Sequence, residues 1–257
     1  MAACRSEREA ALVRCLLDEY GLNVRDIRPA NRGFYGLTWK AVTDEGALFL
    51  KADPWPQHQQ GFRDGLLAVR FLMDKGIGFI PALRSAKDGR LSVPHEDMVL
   101  AVFDYLDGEH LEHASVAQQY GQLARVYRLG TAGLLLPRED FLASVLDRYG
   151  QLRAQEGLPV QVLRTLDEKA DLLAHAARRL RAFSAVCADQ PDGFYLTHGD
   201  AGGNCILVGE EPCLVDWDSA LIAPPERDAW INIWSPKALT QIDTILMQEG
   251  LPYLLRQ

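Results

Sequence analysis

A chain of 257 residues, 48% hydrophobic and 24% charged, can bury the core of a compact protein of one or two lobes. Its net charge of −8, with no basic block, argues against a nucleic-acid partner and favours encounter with cationic ligands. No run of 18 apolar residues occurs, so no transmembrane helix is expected.

The opening stretch MAACRSEREAALVR is charged throughout and lacks an apolar signal core. Five cysteines (Cys4, Cys15, Cys187, Cys205, Cys213) show no CxxC spacing and read as reduced, buried thiols of a cytoplasmic protein. Cys205 and Cys213 are expected to face each other across a hairpin. His58, His95, His110, His113 and His175 are scattered and form no metal-ligand pattern.

Taken in order, Ser6 to Tyr20 predicts an amphipathic helix capped by Ser6 and ended by Gly21. Strands are expected at Asn23–Ala30, Leu37–Thr43 and Ala47–Ala52, the last carrying Lys51. A glycine-bearing turn, Asn31 to Gly36, separates the first two. Phe62 to Lys75 reads as a helix with Phe62, Leu66, Val69 and Met73 on one side. Met98 to Tyr105 is a continuous apolar run, the pattern of a central strand. Helices follow at Val116–Arg128, Phe141–Tyr149 and Leu166–Ala185. The last carries a stripe of Leu166, Ala170, Leu173, Ala177 and Leu180 expected to face the core.

The most informative stretch is Phe194 to Asp228, FYLTHGDAGGNCILVGEEPCLVDWDSALIAPPERD. It reads as strand, tight loop, strand, hairpin turn, strand. The loop holds His198, Asp200 and Asn204, and the last strand delivers Asp216 and Asp218. A loop carboxylate, an amide shortly after it and a carboxylate beyond a hairpin suit phosphoryl transfer. The first can accept a hydroxyl proton, and the other two can hold Mg²⁺ on a nucleotide's phosphates. Asp216 lies between Leu214-Val215 and Trp217, so an enclosed position with a cationic partner is expected. An isolated Asp in a glycine-rich loop is usually only a turn residue. The clustering of polar groups at the ends of apolar strands favours the chemical reading.

HGD, the Asn, and a hairpin ending in VDWD resemble the aminoglycoside phosphotransferase and choline kinase-like superfamily. ALIAPPERDAW and the earlier YGLNVRDIRPANRGFYGLTWKAVTDEGALFLKAD are similar to its spectinomycin phosphotransferase-like branch. The resemblance implies an α+β, protein-kinase-like fold, with a sheet-rich nucleotide lobe at 1–106 and a helical lobe at 107–257. It implies ATP, Mg²⁺ and a small, cationic hydroxyl acceptor such as an aminoglycoside or aminocyclitol. Asp200 becomes the catalytic base, with Asn204 and Asp216 as metal ligands. Asp218 becomes a candidate for metal or substrate amine, and His198 and Asp228 become structural braces.

The turn with Gly33 and Gly36 would cover the phosphates, Lys51 would orient them, and adenine would bond backbone groups near Phe103 to Tyr105. Three departures stand out. Asn204 follows Asp200 by four residues where the family has five, although Gly202 and Gly203 can let a shorter loop aim the amide. The helix after Lys51 has no Glu, so Asp64 or something else must hold that lysine. The chain ends at Gln257, short of helices that wall the substrate pocket in relatives, so a monomer with an open wall or a homodimer that fills it is expected. Rival readings are a kinase for choline, an amino sugar or a nucleoside, and a nucleotide-binding module without turnover.

Overall fold

The computed structural model describes residues 6–30, 36–111, 115–139, 143–188 and 193–251. It opens with helix α1, Glu7–Cys15. The Ser6 hydroxyl accepts from the Glu9 N–H while the Glu9 carboxylate accepts from the Ser6 N–H, a capping box. The expected helix continues to Tyr20, but Leu16–Tyr20 winds as a wider π turn before Gly21 ends it at φ 75°.

Strands β1 (Val24–Pro29), β2 (Leu37–Thr43) and β3 (Gly46–Asp53) pair in sequence, all antiparallel. Helix α2 (Gln59–Asp74) follows, then the short strands β4 (Leu83–Arg84) and β5 (Val93–His95) and the long strand β6 (Met98–Asp104). The sheet order is β1-β2-β3-β6-β4, with β5 also on β6. Alternation explains why β6 is apolar throughout. Met98, Leu100 and Val102 face a core with Leu12, Leu16 and Trp39. Val99, Ala101 and Phe103 face a second core with Phe62, Leu66 and Leu72 of α2. In β3 the same period turns Leu48 and Leu50 to the first core and leaves Phe49 and Lys51 on the other face.

Beyond β6 the chain forms β7 (Glu109–His110), α3 (Val116–Tyr127), α4 (Ala143–Ala154), α5 (Val160–Glu168) and α6 (Ala170–Ala188). The strands β8 (Tyr195–Thr197), β9 (Cys205–Val208), β10 (Glu211–Leu214) and β11 (Leu221–Ala223) come next. A 3₁₀ segment, Pro225–Asn232, leads into α7, Pro236–Gln248. The hairpin β9–β10 takes β7 as a third strand, and β8 pairs with β11. The second core runs on from α2 through Tyr120 and Leu123 of α3 to Leu214 and Trp217, so α2 joins the sheet to the helical part.

Several expectations are corrected. The helix expected over Leu166–Ala185 is two helices that break at Lys169, and Leu166, Ala170, Leu173, Ala177 and Leu180 are only half-buried. An apolar stripe predicts which face turns inward, not how much protein lies over it. The helix expected from Phe141 begins, among the described residues, at Ala143. Cys205 stands opposite Leu214 and Cys213 opposite Ile206, so the two thiols are offset by one register position. Trp230 lies in the 3₁₀ segment, and Trp230, Ile233 and Trp234 are exposed. Gly33 lies outside the described residues.

Candidate active site

The loop between β8 and β9 is held from below by one carboxylate. Asp228 is buried and accepts from the His198 N–H at 3.1 Å, from the Gly199 N–H, and from the Tyr127 hydroxyl at 2.7 Å. His198 is wholly buried. Its Nε2–H donates to the Val215 carbonyl at 2.9 Å, and its Nδ1 accepts the Asp200 N–H at 3.2 Å. Both ring nitrogens are spent in the loop, and burial holds the imidazole below its ordinary pKa, which favours its neutral form. Trp217 packs against the ring, centroids 4.5 Å apart.

The loop's tightness has a steric origin. Gly199 has φ 82°, and a Cβ there would lie 2.2 Å from Nη1 of Arg227. That guanidinium donates to the Thr197 hydroxyl at 3.2 Å and pairs with Glu139 at 3.2 Å. Trp230 Nε1 donates to the Gly199 carbonyl at 2.7 Å.

Asp200 emerges half-buried from this support. Asn204 Nδ2 donates to its main-chain carbonyl at 2.7 Å and to its Oδ2 at 3.2 Å, which is how the four-residue spacing closes. Burial pushes the Asp200 carboxyl above the ordinary range, and the charge of Asp216 adds to that, against the opposing pull of His198 and the Asn204 amide. The Val215 N–H donates to the Asn204 carbonyl at 2.9 Å, so the two ends of the hairpin leave side by side. Asp216 follows in the left-handed region, φ 66° and ψ 61°. That region is uncommon for a residue with a Cβ, though Asp is among those that tolerate it. Asp216 is 44% exposed, which corrects the expectation of an enclosed position.

The cation beside Asp216 is an ammonium. Lys51 Nζ lies 2.5 Å from Asp216 Oδ1 and 2.7 Å from Asp218 Oδ2. Burial alone would lower the Lys51 pKa; Asp218 and Asp216 outweigh it, and the net direction is up. Asp218 is pushed up to about 6, by burial first and then by Asp216, with Lys51 opposing. Asp64 does not reach Lys51 but accepts from Gln60 Nε2 at 2.9 Å. Gly36 sits against the lysine stem, where a Cβ would meet Lys51 Cε at 3.5 Å.

Asp200, Asn204, Asp216, Asp218, Lys51, His198, Asp228 and Gly36 thus belong to one continuous constellation. Phe103 and Tyr105 lie farther along the sheet. Lys51 is opposite Ala101, and Phe49 opposite Phe103, so Phe103 is two residues, about 7 Å, nearer the end of β6. The Phe103 side chain is buried in the core, and the Tyr105 ring carries the Lys40 ammonium 3.5 Å from its centroid. The N–H groups of Asp104 and Tyr105 are already bonded to the carbonyls of Ala82 and Ala47. The next N–H along the chain is that of Leu106. Sequence reasoning missed Tyr127, Arg227 and Trp230. Tyr127 lay inside the helix expected at Val116–Arg128 with nothing to single it out, and nothing local marked the other two.

Among the described residues no group of three or more His, Cys, Asp or Glu gathers as a metal cage. A nucleotide's Mg²⁺ needs none, since phosphate and water supply most of its oxygens. The chemistry of the donor set fits such an ion: Asp216 has a carboxylate to offer, and Asn204, whose Nδ2 is engaged by Asp200, has an amide oxygen.

Residues 26–251 match the phosphotransferase enzyme family, and the chain belongs to it, an enzyme of phosphoryl transfer to a hydroxyl acceptor. Protein StrN of Streptomyces griseus is 26% identical over 232 residues, 80% of this chain and 72% of its own. Spectinomycin phosphotransferase APH(9)-Ia, solved with ADP and spectinomycin, has a TM-score of 0.63 at 17% identity, covering 95% of this chain and 80% of that one. A microcompartment-associated aminopropanol kinase reaches 0.59 at 16% identity, over 96% and 82%. The likeness to these structures shows the α+β kinase-like fold, and in this chain the antiparallel sheet comes first and the helices follow. No helix among the described residues is long and apolar enough to cross a membrane.

Proposed function

We propose that this enzyme transfers the γ-phosphoryl group of ATP to a hydroxyl of a small cationic acceptor of the aminoglycoside or aminocyclitol type. The observation that carries the reading is the convergence of Lys51, Asp216, Asn204 and Asp200 on one braced loop and hairpin. In this reading residues 1–106 form the nucleotide lobe and residues 107–257 the acceptor lobe, with Asp200 facing the acceptor. The hydroxyl donates to the Asp200 carboxylate, which aims its oxygen at the γ-phosphorus. The new O–P bond forms as the β–γ bridging bond breaks, ADP leaves with that electron pair, and the hydroxyl proton passes to Asp200. Asp216 and Asn204 would hold Mg²⁺, which neutralises charge developing on the β- and γ-oxygens. Lys51, with Gly36 against its stem, orients the phosphates. His198 and Asp228 serve the loop's shape rather than proton transfer.

The acceptor class is supported by the acid excess of the chain and by the spectinomycin and ADP bound to the phosphotransferase of like fold. A second reading, a kinase for a smaller amino alcohol or other metabolite, is favoured by the likeness to the aminopropanol kinase. An ATPase-coupled screen of aminocyclitols, aminoglycosides, choline, amino alcohols and nucleosides separates them. Turnover with an aminocyclitol or aminoglycoside is expected, and turnover confined to the other classes would replace the first reading with the second. ATP with Mg²⁺ should also raise the melting temperature, and no rise at millimolar nucleotide would defeat both.

A further inference from the structure

The lysine that orients phosphates needs a carboxylate that stays with it when a metal takes the neighbouring aspartate. Helix α2 contains no glutamate, and its one carboxylate near the right place, Asp64, is bonded to Gln60. Lys51 instead holds Asp218 Oδ2 at 2.7 Å, two residues beyond the carboxylate offered to the metal. The helix is shaped for this. Gly61 and Gly65 stand one turn apart on the face of α2 that meets the Trp217–Asp218 backbone. A Cβ at Gly65 would lie 2.7 Å from the Trp217 carbonyl oxygen and 3.0 Å from Asp218 Cα, and one at Gly61 would lie 2.9 Å from the Asp218 carbonyl oxygen. Each glycine in a helix costs about 1 kcal/mol against alanine, so two in one helix face call for a packing reason. Here the reason is contact: the backbone after Asp216 occupies the space in which a helix side chain would otherwise reach for the lysine.

We infer that Asp218 is the positioning residue of Lys51, doing from the metal-bearing turn what a helix carboxylate does elsewhere, and that Gly61 and Gly65 exist to seat it. The inference rests on the nucleotide-binding reading above. It assigns the two carboxylates different fates. Asp216, the more exposed at 44% against 33%, exchanges the ammonium for the metal, whereas Asp218 keeps it. Lys51 Nζ has three protons, so it can hold Asp218 and still donate to a phosphate oxygen.

A double-mutant cycle on Lys51→Met and Asp218→Asn tests this, read by calorimetric ATP titration without acceptor, with Mg²⁺ and with a chelator, beside steady-state kinetics. Asp218→Asn should cut kcat/KM for ATP by about 10²-fold through misplacement of the lysine. The double variant should be no worse than Lys51→Met within about twofold, because the two act as one unit. The Mg²⁺ concentration for half-maximal binding should stay within about twofold of wild type. Gly65→Ala should reproduce the weakened ATP binding although it touches no nucleotide, and Asp218→Glu should restore part of it. Gly65→Ala also decides the matter if Asp218→Asn fails to fold: ATP affinity equal to wild type in a folded Gly65→Ala would overturn the inference. Losses that multiply in the cycle, or a rise in Mg²⁺ requirement as large as that of Asp216→Ala, would make Asp218 a metal or acceptor residue and overturn it too. Wild-type protein that shows no ATP binding would remove the parent reading and this one together, whereas binding with multiplying losses removes this one alone.

Discussion

The loop between β8 and β9 and the helices α4 to α6 are held in opposite ways. The loop from His198 to Asn204 is tied by hydrogen bonds from four directions: Asp228, itself held by Tyr127, below, Val215 across, Trp230 beside, and its own Asn204 over the top. Helix α5 has no buried residue, and along α6 the inward stripe is half-covered until Cys187. Val160 on α5 is 79% exposed and Leu172 on α6 is 63% exposed. The difference teaches where the fold spends its structural constraint. In the proposed mechanism Asp200 aims the attacking hydroxyl, and a misplacement of about 1 Å can cost about 10²-fold in rate, which accounts for polar bonding concentrated around it. Helices at the periphery need only stay attached.

That contrast breaks most visibly at the carboxylate it serves. Asp200→Asn should lower turnover by about 10²–10⁴-fold while leaving ATP affinity nearly intact, because an amide keeps some positioning but cannot take a proton. Calorimetric titration beside the steady-state assay checks both halves. Normal turnover would reduce Asp200 to a turn residue. Lost ATP affinity would exchange its role with that of Asn204.

Next in size is the brace. Asp228→Ala leaves the N–H groups of His198 and Gly199 and the Tyr127 hydroxyl without their acceptor. Unsatisfied buried donors cost about 1–3 kcal/mol each, and a total loss of about 3–5 kcal/mol is expected in denaturant unfolding. Tyr127→Phe, which removes only one donor and leaves the carboxylate with two, should cost about 1 kcal/mol. Equal losses for the two variants would mean that the hydroxyl alone carries the brace.

The metal side sharpens the comparison further. Asp216→Ala should raise the Mg²⁺ requirement more than Asn204→Ala does, since a carboxylate is the stronger ligand for a hard cation. Asn204 also has a second task, its two bonds to Asp200, so Asn204→Ala should lower turnover at saturating Mg²⁺ as well. Titrating Mg²⁺ against turnover for both variants distinguishes the roles, and superimposable curves would show that the shortened loop ligates as well as the aspartate.

How much of this was legible beforehand follows from the range of each interaction. Strands β2 and β9 and the hairpin between Asn204 and Asp216 were readable because alternation and turn residues are local signals. The family motif placed Asp200 and Asp216 at once. The partner of Lys51 was not readable, because Asp216 and Asp218 lie 165 and 167 residues away and no local rule links them. Tyr127 and Asp228 are 101 residues apart, and a place on a helix gives no sign of that bond. The stripe on α6 was read correctly as a face and wrongly as core, since periodicity reports direction and tertiary packing decides depth.

The smallest expected effect tests the loose half of the comparison. Leu172→Gln on α6 replaces an exposed apolar side chain with a polar one of similar length and comparable helix propensity. If the outer face of α6 is solvated in solution as it is in the structure, the change should alter unfolding free energy by no more than about 0.5 kcal/mol. For a chain of this size that is a melting shift of no more than about 2 °C, and ATP affinity should not move. A loss above about 2 kcal/mol would mean that Leu172 is buried in solution, and a second copy of the chain is then the simplest cover. Sedimentation of wild type and variant would decide it, since a dimer seated on that face should dissociate in the variant and an uncovered helix leaves the mass unchanged. With Asp228→Ala at one extreme and Leu172→Gln at the other, the ratio of the two losses measures how unevenly the constraint is distributed. A ratio near one would abolish the distinction between a braced loop and peripheral helices.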